Sequence, residues 1–222
     1  VIAAALTLAG KDLRLELRRR EVVLGMAQFV MVTLVIVHFA LVALGEGPAQ
    51  RAASGMLWIA VLFTALLALG RAFAADHEDG AIDALLLAPV DRSAIWLGKV
   101  LSQLVFLAAM ELIAVPAFWL FFFQTHGPAL GPVLAALALA DIGIAAIGVL
   151  VSSLAQAGRA RDVLLPVLLL PLLVPLVLAA VVATLGSFPG GDGAGKALGF
   201  LGLFDTLFVL LAWGTYEHLS GD

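Results

Sequence analysis

Six runs of about twenty mostly apolar residues, at about 22–44, 53–72, 97–123, 129–154, 163–185 and 197–216, dominate this chain of 222 residues. Each is long enough, as an α-helix, to cross the roughly 30 Å hydrocarbon core of a bilayer. Lipid-exposed irregular backbone does not survive at that depth, because its polar groups would go unsatisfied. The expected fold is therefore an all-α integral membrane protein with six transmembrane helices in one domain, 1–222. Composition agrees: charged residues make up 13%, against about 25% in soluble domains, and mean hydropathy is +1.13. No second domain and no internal repeat separates the runs.

Two polar stretches interrupt the apolar pattern. Residues 2–20, IAAALTLAGKDLRLELRRR, place Leu6, Leu13 and Leu17 at helical spacing, with Lys11, Arg14, Arg18 and Arg19 mostly on another face. An apolar side beside a basic side suits an amphipathic helix in the headgroups of an anionic leaflet; the alternative is an ordinary lead-in to the first span. The second stretch, 71–99, gathers Arg71, Asp76, His77, Glu78, Asp79, Asp83, Asp91, Arg92 and Lys99 between two apolar runs. Within its 73–96 loop, residues 81–90 read as a short helix, with Ile82, Leu85 and Leu86 at helical spacing and Pro89 at its end. Too short to span a membrane, it is expected to lie on the surface or dock on a partner.

Basic residues mark the cytoplasmic side. Ten of the twelve Lys and Arg fall in the N-terminal segment, the 71–99 stretch and the connection at Arg159 and Arg161, leaving Arg51 and Lys196 on the other side. Both termini are thus expected in the cytoplasm. Apolar residues come before the basic cluster, the reverse of a cleavable signal peptide. A chain without cysteine forms no disulfide and no thiolate-held iron–sulfur or c-type haem site. Nothing in its charge pattern points to nucleic acid.

Few residues offer chemistry. Glu111, Asp141 and Asp205 lie inside expected spans, where a charged carboxylate costs about 2.5–3.5 kcal/mol on insertion scales. They are expected to face the bundle interior, as structural groups or in conduction and coupling. His38, His77, His126 and His218 are dispersed, as are Trp58, Trp96, Trp119 and Trp213, which read as interface anchors or packing residues. Residues 190–197, GGDGAGKA, approach a phosphate-binding loop, but Ala197 lacks the magnesium-binding hydroxyl and no strand precedes it. Pro166, Pro171 and Pro175 in the fifth span remove backbone hydrogen bonds, so a kinked or broken helix is expected.

Three stretches together resemble the CcmB family, the membrane subunit of the cytochrome c maturation ABC transporter. They are the basic segment Lys11-Asp12-Leu13-Arg14-Leu15-Glu16-Leu17-Arg18; the run from Gly55-Met56-Leu57-Trp58 through Leu69-Gly70-Arg71-Ala72-Phe73, Asp79-Gly80 and Pro89 to Leu97-Gly98-Lys99-Val100; and Arg161-Asp162-Val163-Leu164-Leu165-Pro166 with Pro171 and Pro175 beyond it. Gly70 departs from the family, which more often carries an acidic residue before the Arg. The Asp79-Gly80 to Pro89 portion is shared more widely among ABC-2 type permeases.

The resemblance implies a non-catalytic permease subunit of a bacterial inner membrane, working as a homodimer with a separate CcmA-type ATPase that binds the ATP. Lys11, Arg14 and Arg18 of the interfacial helix would meet that ATPase together with Asp79, Gly80, Asp83, Leu86, Pro89 and Val90 of a coupling helix. It implies CcmC and CcmD as haem-handling partners and the haem chaperone CcmE as the protein released, with haem on the partners and no cofactor bound by this chain. The alternative is a generic ABC-2 type exporter of a lipid, drug or other small molecule.

Overall fold

The computed structural model describes residues 1–18, 20–41, 45–72, 91–123, 127–155 and 161–219. Asp79, Gly80, Asp83, Leu86, Pro89 and Val90 lie outside the described residues. Seven helices and no strand are found among the described residues: α1 Ile2–Arg18, α2 Arg20–Leu41, α3 Glu46–Arg71, α4 Arg92–Phe122, α5 Leu130–Ala155, α6 Arg161–Gly186 and α7 Ala194–Leu219. The last six are each long and apolar enough to cross a membrane. The protein is an all-α, multi-pass membrane protein.

The bundle is built around α5, which packs on α3, α4, α6 and α7. Residues 143–152 of this helix are buried all the way round, the mark of a helix enclosed by others rather than facing lipid. Small side chains make that possible. Ala136, Ala140, Gly143, Ala145, Ala146 and Gly148 are all buried, and small residues let transmembrane backbones approach closely. At Gly148 an added Cβ would collide with the tip of Leu69 on α3, and beside it Ser152 donates its hydroxyl to the Leu69 carbonyl at 3.1 Å. A second polar bond ties α3 to α6: Trp58 Nε1 donates to Thr184 Oγ1 at 2.9 Å, deep in the core. Large apolar side chains such as Phe39, Leu112 and Leu203 point outward, as a lipid-facing surface requires.

Two helices begin five or more residues before their apolar runs. α3 begins at Glu46 rather than at 53, taking in Pro48 and Arg51; Pro48 is accommodated because the first turn has no intrahelical use for its missing N–H. α4 begins at Arg92, so residues 92–96 are helical and the expected loop of 73–96 ends sooner. Packing is the reason: Ala94, Ile95 and Trp96 are all buried, and the Asp91 carbonyl accepts the first bonds, from Ala94 at 2.9 Å and Ile95 at 3.3 Å. With 31 residues, α4 is about 46 Å long at 1.5 Å per residue and overhangs the hydrocarbon core at its Arg92 end.

α6 is not broken: it runs as one helix from Arg161 to Gly186 across Pro166, Pro171 and Pro175. Its packed stripe is Leu165, Leu169, Leu173, Leu176, Ala180 and Ala183, spaced three or four apart, and the prolines fall beside this stripe. Pro171 is exposed, as is Val167, whose carbonyl lost its donor to that proline. The bond missing at Pro171 therefore lies on the outer side, away from the packed stripe.

Candidate functional site

Where α1 meets the bundle, one lysine holds three helices. Lys99, two turns into α4, has its side chain 6% exposed, and Nζ lies 2.8 Å from Asp12 Oδ2 of α1. It also donates to the Ala72 carbonyl at the end of α3, at 2.9 Å. Asp12 in turn lies 3.1 Å from Lys11. Close packing accompanies the charges. Beside Lys99, a Cβ added at Gly98 would sit 2.9 Å from Leu8 Cβ and 3.0 Å from the Ala5 carbonyl, so glycine is what lets α1 lie against α4. Ala5 is fully buried there.

The clamp shows how α1 uses its faces. Ala5, Leu8 and Asp12 form the docking stripe, about a third of a turn from Leu6, Leu13 and Leu17 at 100° per residue. Leu6 is exposed, and so is Arg14 on the basic side. This third stripe, one leucine between Ala5 and Asp12, falls on neither the apolar nor the basic face. The usable signal was Gly98-Lys99 facing an acid on the helix that carries Lys11, Arg14 and Arg18. Residues 73–90 are bracketed by the two helix ends that Lys99 joins.

The second concentration of polar groups lies at mid-depth. Glu111 lies eleven residues from the end of α4, and Asp141 and Asp205 lie eleven residues from the starts of α5 and α7. With the spans alternating in direction, these three distances run from the same side of the bundle. All three carboxyls thus share one layer, about 16 Å in at 1.5 Å per residue, near the middle of the hydrocarbon core. Glu111 and Asp141 face each other between α4 and α5. Asp205 approaches α5 from another side, where its Oδ1 would be 2.6 Å from a Cβ at Gly143. Two residues along a helix is a rotation of about 200°, so Asp141 and Gly143 face nearly opposite ways. α5 carries one acid toward α4 and covers another from α7.

The sequence singled out all three acids without pairing any. Equal distances from the helix ends facing the turn between α4 and α5 were the signal for Glu111 and Asp141, and the extents of the helices were needed to read it. A groove of about 390 Å³ opens beside Glu111, between α4 and α5.

Other expected positions serve packing. His38 is edge-on to Phe121 and Phe122, with ring centroids 5.4 and 5.5 Å away. The glycine-rich segment 190–197 follows helix α6, with Gly190 and Gly193 at φ 76° and 93°, and leads into α7; this helix–turn–helix link lacks the strand of a phosphate-binding loop. Among the described residues, no group of three His, Asp or Glu side chains is placed to hold a metal ion.

The family profile described as "CcmB protein" matches residues 3–214, from α1 through α7. The chain belongs to the CcmB family. Relatives in several bacteria carry the name Heme exporter protein B. The one from Rhodobacter capsulatus is 37% identical over 116 residues, 50% of each chain. The Paracoccus denitrificans protein is 31% identical over 133 residues, 58% of this chain and 61% of its own. That of Escherichia coli K12 is 35% identical over 72 residues, 32% of this chain and 33% of its own. This CcmB-family chain thus spans about half the length of the first curated relative it matches.

Proposed function

We propose that this chain is the membrane subunit of an ATP-driven complex for haem export and cytochrome c maturation, and that it transmits force without carrying haem itself. The observation behind the reading is the Lys99 clamp. One buried cation binds α1, the end of α3 and the start of α4, the helix ends on either side of the 73–90 segment. A push on that segment reaches α1 and two spans together. A CcmA-type ATPase supplies the push through Asp79, Gly80, Asp83, Leu86, Pro89 and Val90, aided by Lys11, Arg14 and Arg18 on α1. Two copies of the chain rock as a pair in a bacterial inner membrane, with both termini in the cytoplasm. On the far side the motion frees haem-loaded CcmE from CcmC and CcmD.

The relatives' name supports the haem context. Coupling is favoured over passage of haem by His38, the one histidine whose side chain is described, which is held among phenylalanine rings. The test is ATP-dependent release of haem-loaded CcmE in membranes carrying the complex, with wild type, Lys99→Met and Asp12→Asn. Loss of release with the ATPase still bound supports the clamp as the transmitting element. Normal release in both variants refutes it.

A further inference from the structure

The groove between α4 and α5 has the chemistry of a binding site that force transmission does not use. Its walls are apolar, formed by Ala108, Leu112, Leu134 and the indole of Trp119, and Glu111 lines it. Leu112 is 77% exposed, so the groove opens sideways toward the bilayer. Its volume of about 390 Å³ falls within the range of small-molecule pockets.

The groove's carboxyl and a freed backbone carbonyl accept, and the Trp119 indole N–H donates. Glu111 Oε1 is buried without a hydrogen-bond partner among the described residues, as is Oδ1 of Asp141, which is not part of the groove wall. Pro116, also in the lining, has no N–H to give to the Leu112 carbonyl one turn back. The Trp119 ring adds a face that attracts cations. Unsatisfied acceptors inside a hydrocarbon layer are costly, and together these call for a donor with positive charge and an apolar body.

We propose that the groove is a lateral binding site for hydrophobic amines, entered from the bilayer, in which the ligand's ammonium pairs with Glu111. The ammonium's donors meet the Glu111 carboxylate and the Leu112 carbonyl, while the alkyl chain lies along Leu112 and Leu134. An acyl chain alone would fill the space and leave the acceptors unmet. The site stands on its own geometry and does not depend on the haem reading.

A dodecylamine bearing a photoreactive diazirine, with its carboxylic acid counterpart of equal length, tests this on the full chain in vesicles. The amine is expected to label peptides containing residues 108–119 and 130–137. Labelling should fall at least tenfold in Glu111→Gln and equally in Leu112→Trp, which fills the groove while keeping both acids. Leu112→Trp decides the matter if Glu111→Gln does not fold. Equal labelling by the carboxylic acid, labelling that survives both substitutions, or none in the wild type overturns the proposal. So does efficient cross-linking of Leu112→Cys between two copies, clean to read in a chain without cysteine, because it would assign the groove to a second copy.

Discussion

Replacing Lys99 with methionine removes the charge that holds α1, while keeping most of the side chain's stem in place. The interactions lost include the 2.8 Å ion pair with Asp12 and the 2.9 Å bond to the Ala72 carbonyl. Stranding one member of a fully buried pair costs about 3–5 kcal/mol. Here Asp12 keeps Lys11 at 3.1 Å, whose side chain is 40% exposed, and such a pair is worth only about 0–1 kcal/mol. Hydrogen bonds to charged groups are worth about 1.5–3 kcal/mol net. The docking of α1 should therefore weaken by roughly 2–3 kcal/mol, about 30- to 150-fold in equilibrium constant.

The readout is the rate at which a membrane-permeant maleimide modifies Ala5→Cys, a position fully buried against α4 in a chain with no other thiol. Lys99→Met should raise that rate by roughly the same factor, because modification follows the open population when opening and closing are fast. Adding Asp12→Leu should lower it again, since no carboxylate is then stranded. A Lys99→Met rate equal to that of the parent would show that the Gly98 contact holds α1 alone and that the clamp carries no load.

Further outcomes follow from the packing. Gly98→Ala puts a methyl against Leu8 and the Ala5 carbonyl and should open α1 at a cost of about 1–3 kcal/mol, seen in the same maleimide assay. Thr184→Val strands the Trp58 indole N–H and should cost about 1–3 kcal/mol in detergent unfolding; no loss would mean the bond is not made. Asp141→Leu leaves Glu111 without its partner and should destabilise more than Asp141→Asn, by about 1–3 kcal/mol, in the same unfolding series. Pro171→Ala, on the exposed side of α6, should be neutral or stabilising, whereas Leu173→Ala on the packed stripe should cost about 2–5 kcal/mol.

The contrast between Pro171 and Gly98 shows which features could be read before the structure. Apolar run length sets the number of spans, because the bilayer demands it, so the six-helix architecture was legible throughout. Proline marked α6 as unusual, yet the helix runs on past all three, and at Pro171 the lost bond faces outward, a facing that depends on the neighbouring helices. Lys99 counted as a loop charge, since hydropathy does not register that α4 starts at Arg92 and overhangs the core. Glu111 and Asp141 stood out as costly intramembrane acids, but their pairing depended on the lengths of both helices. Interhelix contacts in membranes run on small residues, and Ala5, Gly98, Gly143 and Gly148 have almost no signature in a hydropathy trace.

In the proposed coupling an external ATPase acts on this chain through the segment between α3 and α4. The decisive experiment is co-purification of the chain with its candidate CcmA-type ATPase, comparing wild type with Asp79→Arg plus Leu86→Glu. Capture of the ATPase by wild type, and its loss from a variant that still inserts and keeps Ala5→Cys protected, is the expected result. An ATPase that binds the variant as well as the wild type, or never binds the wild type, would contradict this coupling.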